Sequence, residues 1–154
     1  MLLIEDREIE AILLRVVDIF LIPKHMELDM KATGEWIQSL EVQATPTGGK
    51  IRGRDYSEQL AKGRPPGKRP PIPALEKWVQ AKMGRSGDEA RQIAWAVAKK
   101  IERDGTTWYQ QGGSDLLEVL ETPEVIDFIQ NELIATARVR LAENLNRTAQ
   151  KIFA

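Results

Sequence analysis

The residues of this chain best suited to acid–base or metal chemistry are one histidine and many carboxylates. His25 is the only histidine, and the 154-residue sequence contains no cysteine. A zinc site would therefore need three carboxylates beside His25, which is an unusual ligand set. A Ser-His-Asp triad would need the same histidine, and no G-x-S-x-G motif is present. We interpret His25 as a surface or linker histidine, and we predict no metal ligand, no cofactor and no catalytic residue.

The carboxylate pairs and glycine-rich turns of the sequence do not form a catalytic pattern. Glu5/Asp6, Asp88/Glu89 and Glu118/Glu121 are examples of such pairs. General acid–base catalysis needs two carboxylates that converge in a cleft, whereas acids near helix starts are favoured by the helix dipole alone. Gly48-Gly49-Lys50 and Gly112-Gly113-Ser114 lack the spacing of a phosphate-binding loop. The sequence therefore predicts a protein that is not an enzyme.

The most distinctive feature is a basic segment from Lys50 to Arg69. It holds seven basic and two acidic residues, whereas the net charge of the whole chain is −1. Within it, Gly63 to Pro71 contains four prolines and two glycines. Proline restricts the backbone in advance, which lowers the cost of ordering this loop on a partner. The residues that we predict to contact another subunit or DNA are Arg52, Arg54, Tyr56, Lys62, Arg64, Lys68, Arg69 and Trp108.

Two kinds of partner fit the basic segment. Lys and Arg neutralise phosphates without reading sequence, and that binding weakens with salt. Tyr56 alone offers little aromatic surface for stacking single strands, and the chain is net acidic, so we place contact with an acidic protein surface ahead of nucleic acid. Trp36, Trp78 and Trp95 are interpreted as core residues. Trp108, which lies in a predicted loop, is either packed beneath that loop or part of an interface.

Length and composition predict a single domain over residues 1–154. The absence of cysteine is compatible with a reducing compartment. The apolar run at residues 11–22 contains Arg15 and Asp18 and is too short to span a bilayer. It also lacks the basic start of a signal peptide. We expect a soluble intracellular protein with no membrane partner.

Hydrophobic spacing in the first part of the chain predicts a helix followed by a small sheet. Ile9, Leu13, Val16 and Phe20 recur at helical spacing, which predicts an amphipathic helix over about residues 5–21 that Pro23 ends or bends. Alternation over residues 36–44 predicts a strand, and residues 45–49 predict a turn. Residues 50–53 and residues 55–61 are the expected partner strands.

The second part of the chain predicts three helices. Pro73 lies at the predicted start of a helix that continues to about Met83 and is closed by Gly84. Ser86 is the predicted N-cap of an alanine-rich helix that ends at Gly105. Residues 106–113 are predicted as a loop, and residues 106–121 fit strand, helix or loop. Thr122 and Pro123 begin a long last helix.

These elements define an α+β fold. A small antiparallel β-sheet at about residues 36–61 would pack against an N-terminal helix, two middle helices and a long C-terminal helix.

Several of these segments together resemble a known protein family. They are Thr33-Gly34-Glu35-Trp36-Ile37-Gln38-Ser39-Leu40, Gly53-Arg54-Asp55-Tyr56, Gly63-Arg64-Pro65-Pro66-Gly67, Pro70-Pro71-Ile72 and Leu75-Glu76-Lys77-Trp78-Val79, followed by Lys82. In this order the chain resembles the tail-completion, or neck, proteins of tailed bacteriophages, which are head–tail connectors or minor tail components. The likeness covers residues 5–149, and its specific part is residues 53–82. Trp36 departs from the family pattern, in which a smaller aliphatic residue usually follows the Thr-Gly.

The resemblance implies a virion structural protein without catalytic activity. Such a subunit would assemble in the host cytoplasm into a homo-oligomeric ring at the head–tail joint of the virion. There it would join the portal-side connector to the tail proteins, with weak, non-specific DNA contact as a further expectation. The alternative is a small nucleic-acid-binding module that uses residues 50–69. An enzyme acting on a phosphorylated or nucleotide substrate is a third alternative.

Overall fold

The computed structural model describes residues 3–153, which form a mostly helical α+β protein with one two-stranded sheet. The helices are α1 (Asp6–Val16), α2 (Ile22–Glu27), α3 (Glu35–Gln38), α4 (Ser57–Lys62), α5 (Ile72–Met83), α6 (Gly87–Asp104), α7 (Thr107–Gln110) and α8 (Pro123–Phe153). The strands are β1 (Glu41–Thr45) and β2 (Gly48–Arg52), and short π and 3-10 helices occupy Val17–Leu21 and Glu118–Glu121. The predicted fold class is confirmed.

The described residues group into two compact units. The sheet unit comprises residues 3–23, 41–52 and 118–153, and the helical unit comprises residues 24–40 and 53–117. Within residues 3–153, no helix has both the length and the apolarity required to cross a membrane. The single domain predicted from chain length stays a prediction.

In the sheet unit, the hairpin packs on α1. β1 and β2 pair antiparallel with Val42 opposite Ile51, and the side chain of Glu10 on α1 accepts a hydrogen bond from the backbone N–H of Ala44 at 3.1 Å. A side chain at position 49 would collide with Leu13, so a glycine there lets the strand approach the helix closely. The buried core of this unit consists of Ile12, Val16, Val17, Leu21 and Val125.

The predicted first helix is confirmed, but Pro23 does not end it. A π segment at Val17–Leu21 leads directly into α2, which contains Pro23 at its second position. A π-bulge accommodates a residue that interrupts the regular hydrogen-bond ladder, and proline is such a residue because it has no N–H.

The long last helix is also confirmed. The hydroxyl of Thr122 donates to the carbonyl of Val119 at 2.8 Å. The backbone carbonyl of Thr122 accepts the first hydrogen bond of the helix, from the N–H of Ile126.

In the helical unit, α5 and α6 pack through small and branched side chains. Val79, Ala90 and Ala94 are buried at their contact, and the alanines allow the two helices to approach closely. The predicted ends are confirmed, since Gly84 closes α5 in the left-handed conformation and Gly105 follows α6. Ser86 is the N-cap of α6, although its side chain makes no capping hydrogen bond.

The predicted hairpin is confirmed at β1 and β2, but the first part of the strand predicted over residues 36–44 and the whole strand predicted over residues 55–61 are wrong. Residues 36–38 belong to the one-turn helix α3, and the strand begins only at Glu41. Residues 57–62 form α4 instead of a third strand. In both places the run of alternating residues is too short to distinguish a strand from one or two helical turns, and tertiary contacts decide the outcome. Residues 106–121, which fit strand, helix or loop from the sequence, contain α7 at Thr107–Gln110 and the 3-10 turn at Glu118–Glu121. The loop predicted over residues 106–113 is therefore wrong at α7, where the side chain of Thr106 caps a helical turn.

Candidate functional site: a cationic aromatic cleft

The helical unit contains a cleft of about 820 Å³ lined by aromatic, proline and basic side chains. The aromatic residues are His25, Trp36, Tyr56, Trp78 and Trp108, and the prolines are Pro70, Pro71 and Pro73. The charged residues along it are four cations, Lys31, Arg54, Arg64 and Lys77, and one carboxylate, Glu35. This combination of apolar walls and positive charge suits an occupant that is both apolar and anionic.

A stacked pair of aromatic rings forms part of the cleft. The imidazole of His25 lies 4.7 Å from the ring of Trp36 at an interplanar angle of 16°. The indole N–H of Trp36 donates to the hydroxyl of Ser57 at 2.8 Å, and that hydroxyl donates to the carbonyl of Arg54 at 2.6 Å. These bonds connect α3 to the start of α4 and fix the orientation of the indole.

A loop between α2 and α3 supplies the residues at one end of the cleft. Asp29 adopts a left-handed conformation, with φ of 53°. The ammonium of Lys82 on α5 donates to both the backbone carbonyl and the carboxylate of Asp29, each at 2.7 Å. This pair of bonds holds the loop on α5 and thereby positions Lys31, which lines the cleft.

The proline-rich loop, residues 63–71, forms one wall of the cleft and is tied down along its length. The backbone of Arg64 exchanges two hydrogen bonds with Thr106, both at 2.9 Å. The N–H of Gly67 donates to the carbonyl of Glu102 at 2.8 Å. Arg69 forms an ion pair with Glu102 at 2.8 Å, and its guanidinium lies 5.3 Å from the ring of Trp95. The loop is therefore an ordered strap, which we call the proline strap.

Four of the eight predicted interaction residues converge on the cleft: Arg54, Tyr56, Arg64 and Trp108. Arg54 lies 3.6 Å from Glu35, and burial raises the pKa of the Tyr56 hydroxyl. Trp108 is half-buried at the start of α7. Arg54 and Tyr56 are neighbours in the sequence, whereas Arg64 and Trp108 come from the proline strap and from α7, so the fold brings three separate segments together.

The other four predicted residues do not line the cleft. Lys62 is exposed and pairs with Glu58 at 2.8 Å within α4. Arg69 is held by Glu102, and Lys68 is exposed on the proline strap. Arg52 belongs to the sheet unit, where it is exposed at the end of β2. The basic segment therefore does not form one continuous surface, because its residues lie in the cleft, on α4, on the proline strap and in the sheet unit.

The interpretation of His25 as a surface or linker residue is wrong. Its side chain is buried with 2% exposure, and its Nδ1 atom has no hydrogen-bond partner. Burial, together with the nearby charges of Lys82 and Lys31, lowers its pKa. Two tryptophans interpreted as core residues, Trp78 and Trp95, are 36% and 38% exposed.

Sequence reasoning also missed Lys31, Glu35, Lys77 and Trp78 as cleft residues. Glu35, Lys77 and Trp78 lie inside motifs that carry the family resemblance, and that was the available indication for them. Nothing in the sequence near Lys31 pointed to its position. Within residues 3–153, no group of three or more His, Cys, Asp or Glu side chains is placed to hold a metal ion.

Burial of His25 predicts a stability that falls with acid. The pKa of His25 is near 6.5 in the unfolded chain and is lower in the folded chain. As the pH falls below 6.5, the unfolded chain therefore binds more protons, and the free energy of unfolding decreases until the folded pKa is passed. The slope is at most about 1.4 kcal/mol per pH unit. Urea unfolding at about pH 7.5, 6.5 and 5.5 measures this slope, at pH values above the range in which carboxylates ordinarily titrate.

The matched control for this pH dependence is His25→Phe, which retains a ring against Trp36. Because His25 is the only histidine, this variant should show a nearly flat stability between those pH values. An equal slope in both proteins would show that His25 is not the group responsible.

Comparison of the chain with protein-family models, with curated proteins and with solved structures gave no match. The geometry of the cleft and the sequence motifs therefore carry the functional argument.

Proposed function

We propose that this chain is a virion structural protein, a ring-forming neck or tail-completion subunit that joins the portal-side connector to the tail of a bacteriophage. The observation that carries the proposal is the proline strap. It lies within residues 53–82, the segment that carries the specific part of the family resemblance. It is anchored at Arg64, Gly67 and Arg69, so it presents one shape without an ordering cost.

The character of the cleft favours a protein partner over nucleic acid. A single strand would stack its bases on a series of open aromatic faces. Trp36 offers none, since it is only 4% exposed and its ring is stacked on His25, which leaves Trp78, 36% exposed, as the open indole of the cleft. Proline and tryptophan side chains instead form the kind of wall that extended or helical protein segments pack against. The cations along the cleft would then select a segment that carries carboxylates.

Particle assembly tests this proposal directly. Deletion of the gene from the phage genome that encodes the chain should yield filled heads and separate tails, and the wild-type chain supplied in trans should restore joined particles. The variant Arg64→Glu/Lys77→Glu should fold, as judged by circular dichroism, yet fail to restore them. Lys99→Glu, at an exposed position of α6 outside the cleft and the proline strap, is the matched control and should restore joining.

Normal particles in the absence of the chain would refute the neck assignment. If the purified chain then bound single-stranded DNA with a clear dependence on salt, the nucleic-acid-binding alternative would replace it.

A further inference from the structure

We infer that the cleft of one copy receives an acidic edge on the sheet unit of a second copy. We call this edge, defined by Glu118, Glu121, Glu124 and Asp127 with Ile126 between them, the acidic edge. The inference rests on the proposed function and deepens it, because it names the surfaces by which neighbouring subunits of the ring meet.

The acidic edge is a regular row of carboxylates. Its four acids recur at every third residue, through the 3-10 turn and into the first turns of α8. Residues three apart lie on the same side of a 3-10 helix and are neighbours on an α-helix. All four are exposed, and in the described part of the chain none forms an ion pair within 4.0 Å.

This row has an electrostatic cost that a cationic partner would relieve. The dipole of α8 favours acids in its first turn, but like charges three or four residues apart repel each other. Ile126, which is 45% exposed, adds an apolar side chain beside them. The acidic edge thus combines negative charge with an apolar anchor, the combination that suits the cleft.

Two exposed lysines of the cleft, Lys31 and Lys77, match the charge of such an occupant. Across residues 3–153, neither Lys31 nor Lys77 is within ion-pair distance of a carboxylate. The Nε–H of Arg64 is buried without an acceptor, and Nδ1 of His25, a residue with 2% exposure, is also without a partner. Both lysines are exposed, so the carboxylates of an occupant can reach them, whereas the two buried atoms are sealed from solvent and lie beyond its reach.

A second copy is the occupant that the observations favour. The two surfaces are different patches of one chain with opposite charge, so contact between them is heterologous. Repeated heterologous contacts form a ring when the rotation between neighbours closes, and a filament when it does not. A nucleic acid in the cleft would leave the acidic edge unexplained.

Charge reversal in the cleft and charge reversal on the acidic edge, in separate variants that are measured singly and as a mixture, test the contact. The cleft variant is Lys31→Glu/Lys77→Glu, and the edge variant is Glu121→Lys/Glu124→Lys. Sedimentation velocity at high protein concentration should show salt-sensitive association of the wild-type chain, stronger at about 50 mM than at about 500 mM NaCl. Each variant alone should weaken association by about tenfold or more, and an equimolar mixture of the two should restore it.

Two control variants separate the contact from general charge effects. Lys99→Glu changes an exposed position of α6 outside the cleft, and Glu143→Lys changes α8 away from its first turns; both should associate like the wild-type chain. Circular dichroism checks that every variant is folded.

Each remaining outcome overturns the inference. A wild-type chain that stays monomeric at low salt, or variants whose mixture does not recover association, would exclude this contact between copies. Loss of single-stranded DNA binding in the cleft variant, with association unchanged, would assign the cleft to nucleic acid. In all these cases the neck assignment still stands or falls separately, by the particle assay.

Discussion

Replacing Gly63 with alanine should destabilise the helical unit by about 3 kcal/mol or more. Gly63 has φ 77° and ψ 179°, a conformation available essentially to glycine alone, and a residue forced into it costs about 1–3 kcal/mol. A methyl group at this position would also collide with the backbone of Tyr109 on α7. Backbone cannot move aside as a flexible side chain can, so the two costs add. Urea unfolding monitored by circular dichroism measures the change.

Gly84→Ala is the matched control for Gly63→Ala. Gly84 also has a positive φ, 64°, but a side chain there would meet open space. It should therefore cost only about 1–2 kcal/mol, the strain of one left-handed residue. Equal losses in the two variants would mean that the strap is not pressed against α7 in solution.

Replacing Trp36 with alanine should cost about 3–5 kcal/mol, the range measured for large buried aromatics. The substitution empties the space beside His25, which stacks on the indole at 4.7 Å. It also removes the N–H that donates to Ser57. Because α3 is a single turn, it has little stability of its own, and we expect the loss of this anchor to loosen the adjoining part of the cleft. Chemical denaturation measures the free energy of unfolding.

Two further substitutions separate the contributions of Trp36. Trp36→Phe keeps a ring against His25 but removes the hydrogen bond, and should cost about 1–3 kcal/mol. Trp95→Ala removes an indole that is 38% exposed and contacts Arg69, and should cost about 1 kcal/mol or less. If Trp95→Ala proved as damaging as Trp36→Ala, the anchor role of Trp36 would be wrong.

The helices were predictable because their apolar periodicity is local. The stripe from Ile9 to Phe20 and the alanine face of α6 repeat over several turns. The ends of the middle helices are marked by Gly84 for α5 and by Ser86 and Gly105 for α6. One-turn helices have no such repeat. The segment at Trp36 alternates like a strand, but the stack on His25 and the bond to Ser57 fix it as a helix.

The cleft was only half predictable, since it depends on contacts between distant segments. The basic, proline-rich composition of residues 50–69 singled out Arg54, Tyr56 and Arg64. It did not reveal that Arg69 would be neutralised by Glu102. Lys31 reaches the cleft because Lys82 holds the neighbouring loop at Asp29, and no local pattern encodes that pairing.

Cysteine cross-linking between copies tests most directly the claim that the cleft docks a neighbouring subunit. The chain contains no cysteine, so Lys77→Cys and Glu124→Cys each introduce a single thiol, one at the cleft and one on the acidic edge. Mixing the two variants under mild oxidation should give a cross-linked dimer in high yield, whereas each variant alone should give little. A chain carrying both thiols should give a ladder that ends at the size of a closed ring. The docking of the acidic edge in the cleft would be contradicted if the mixture gave no cross-linked dimer. It would also be contradicted if either variant alone gave as much dimer as the mixture.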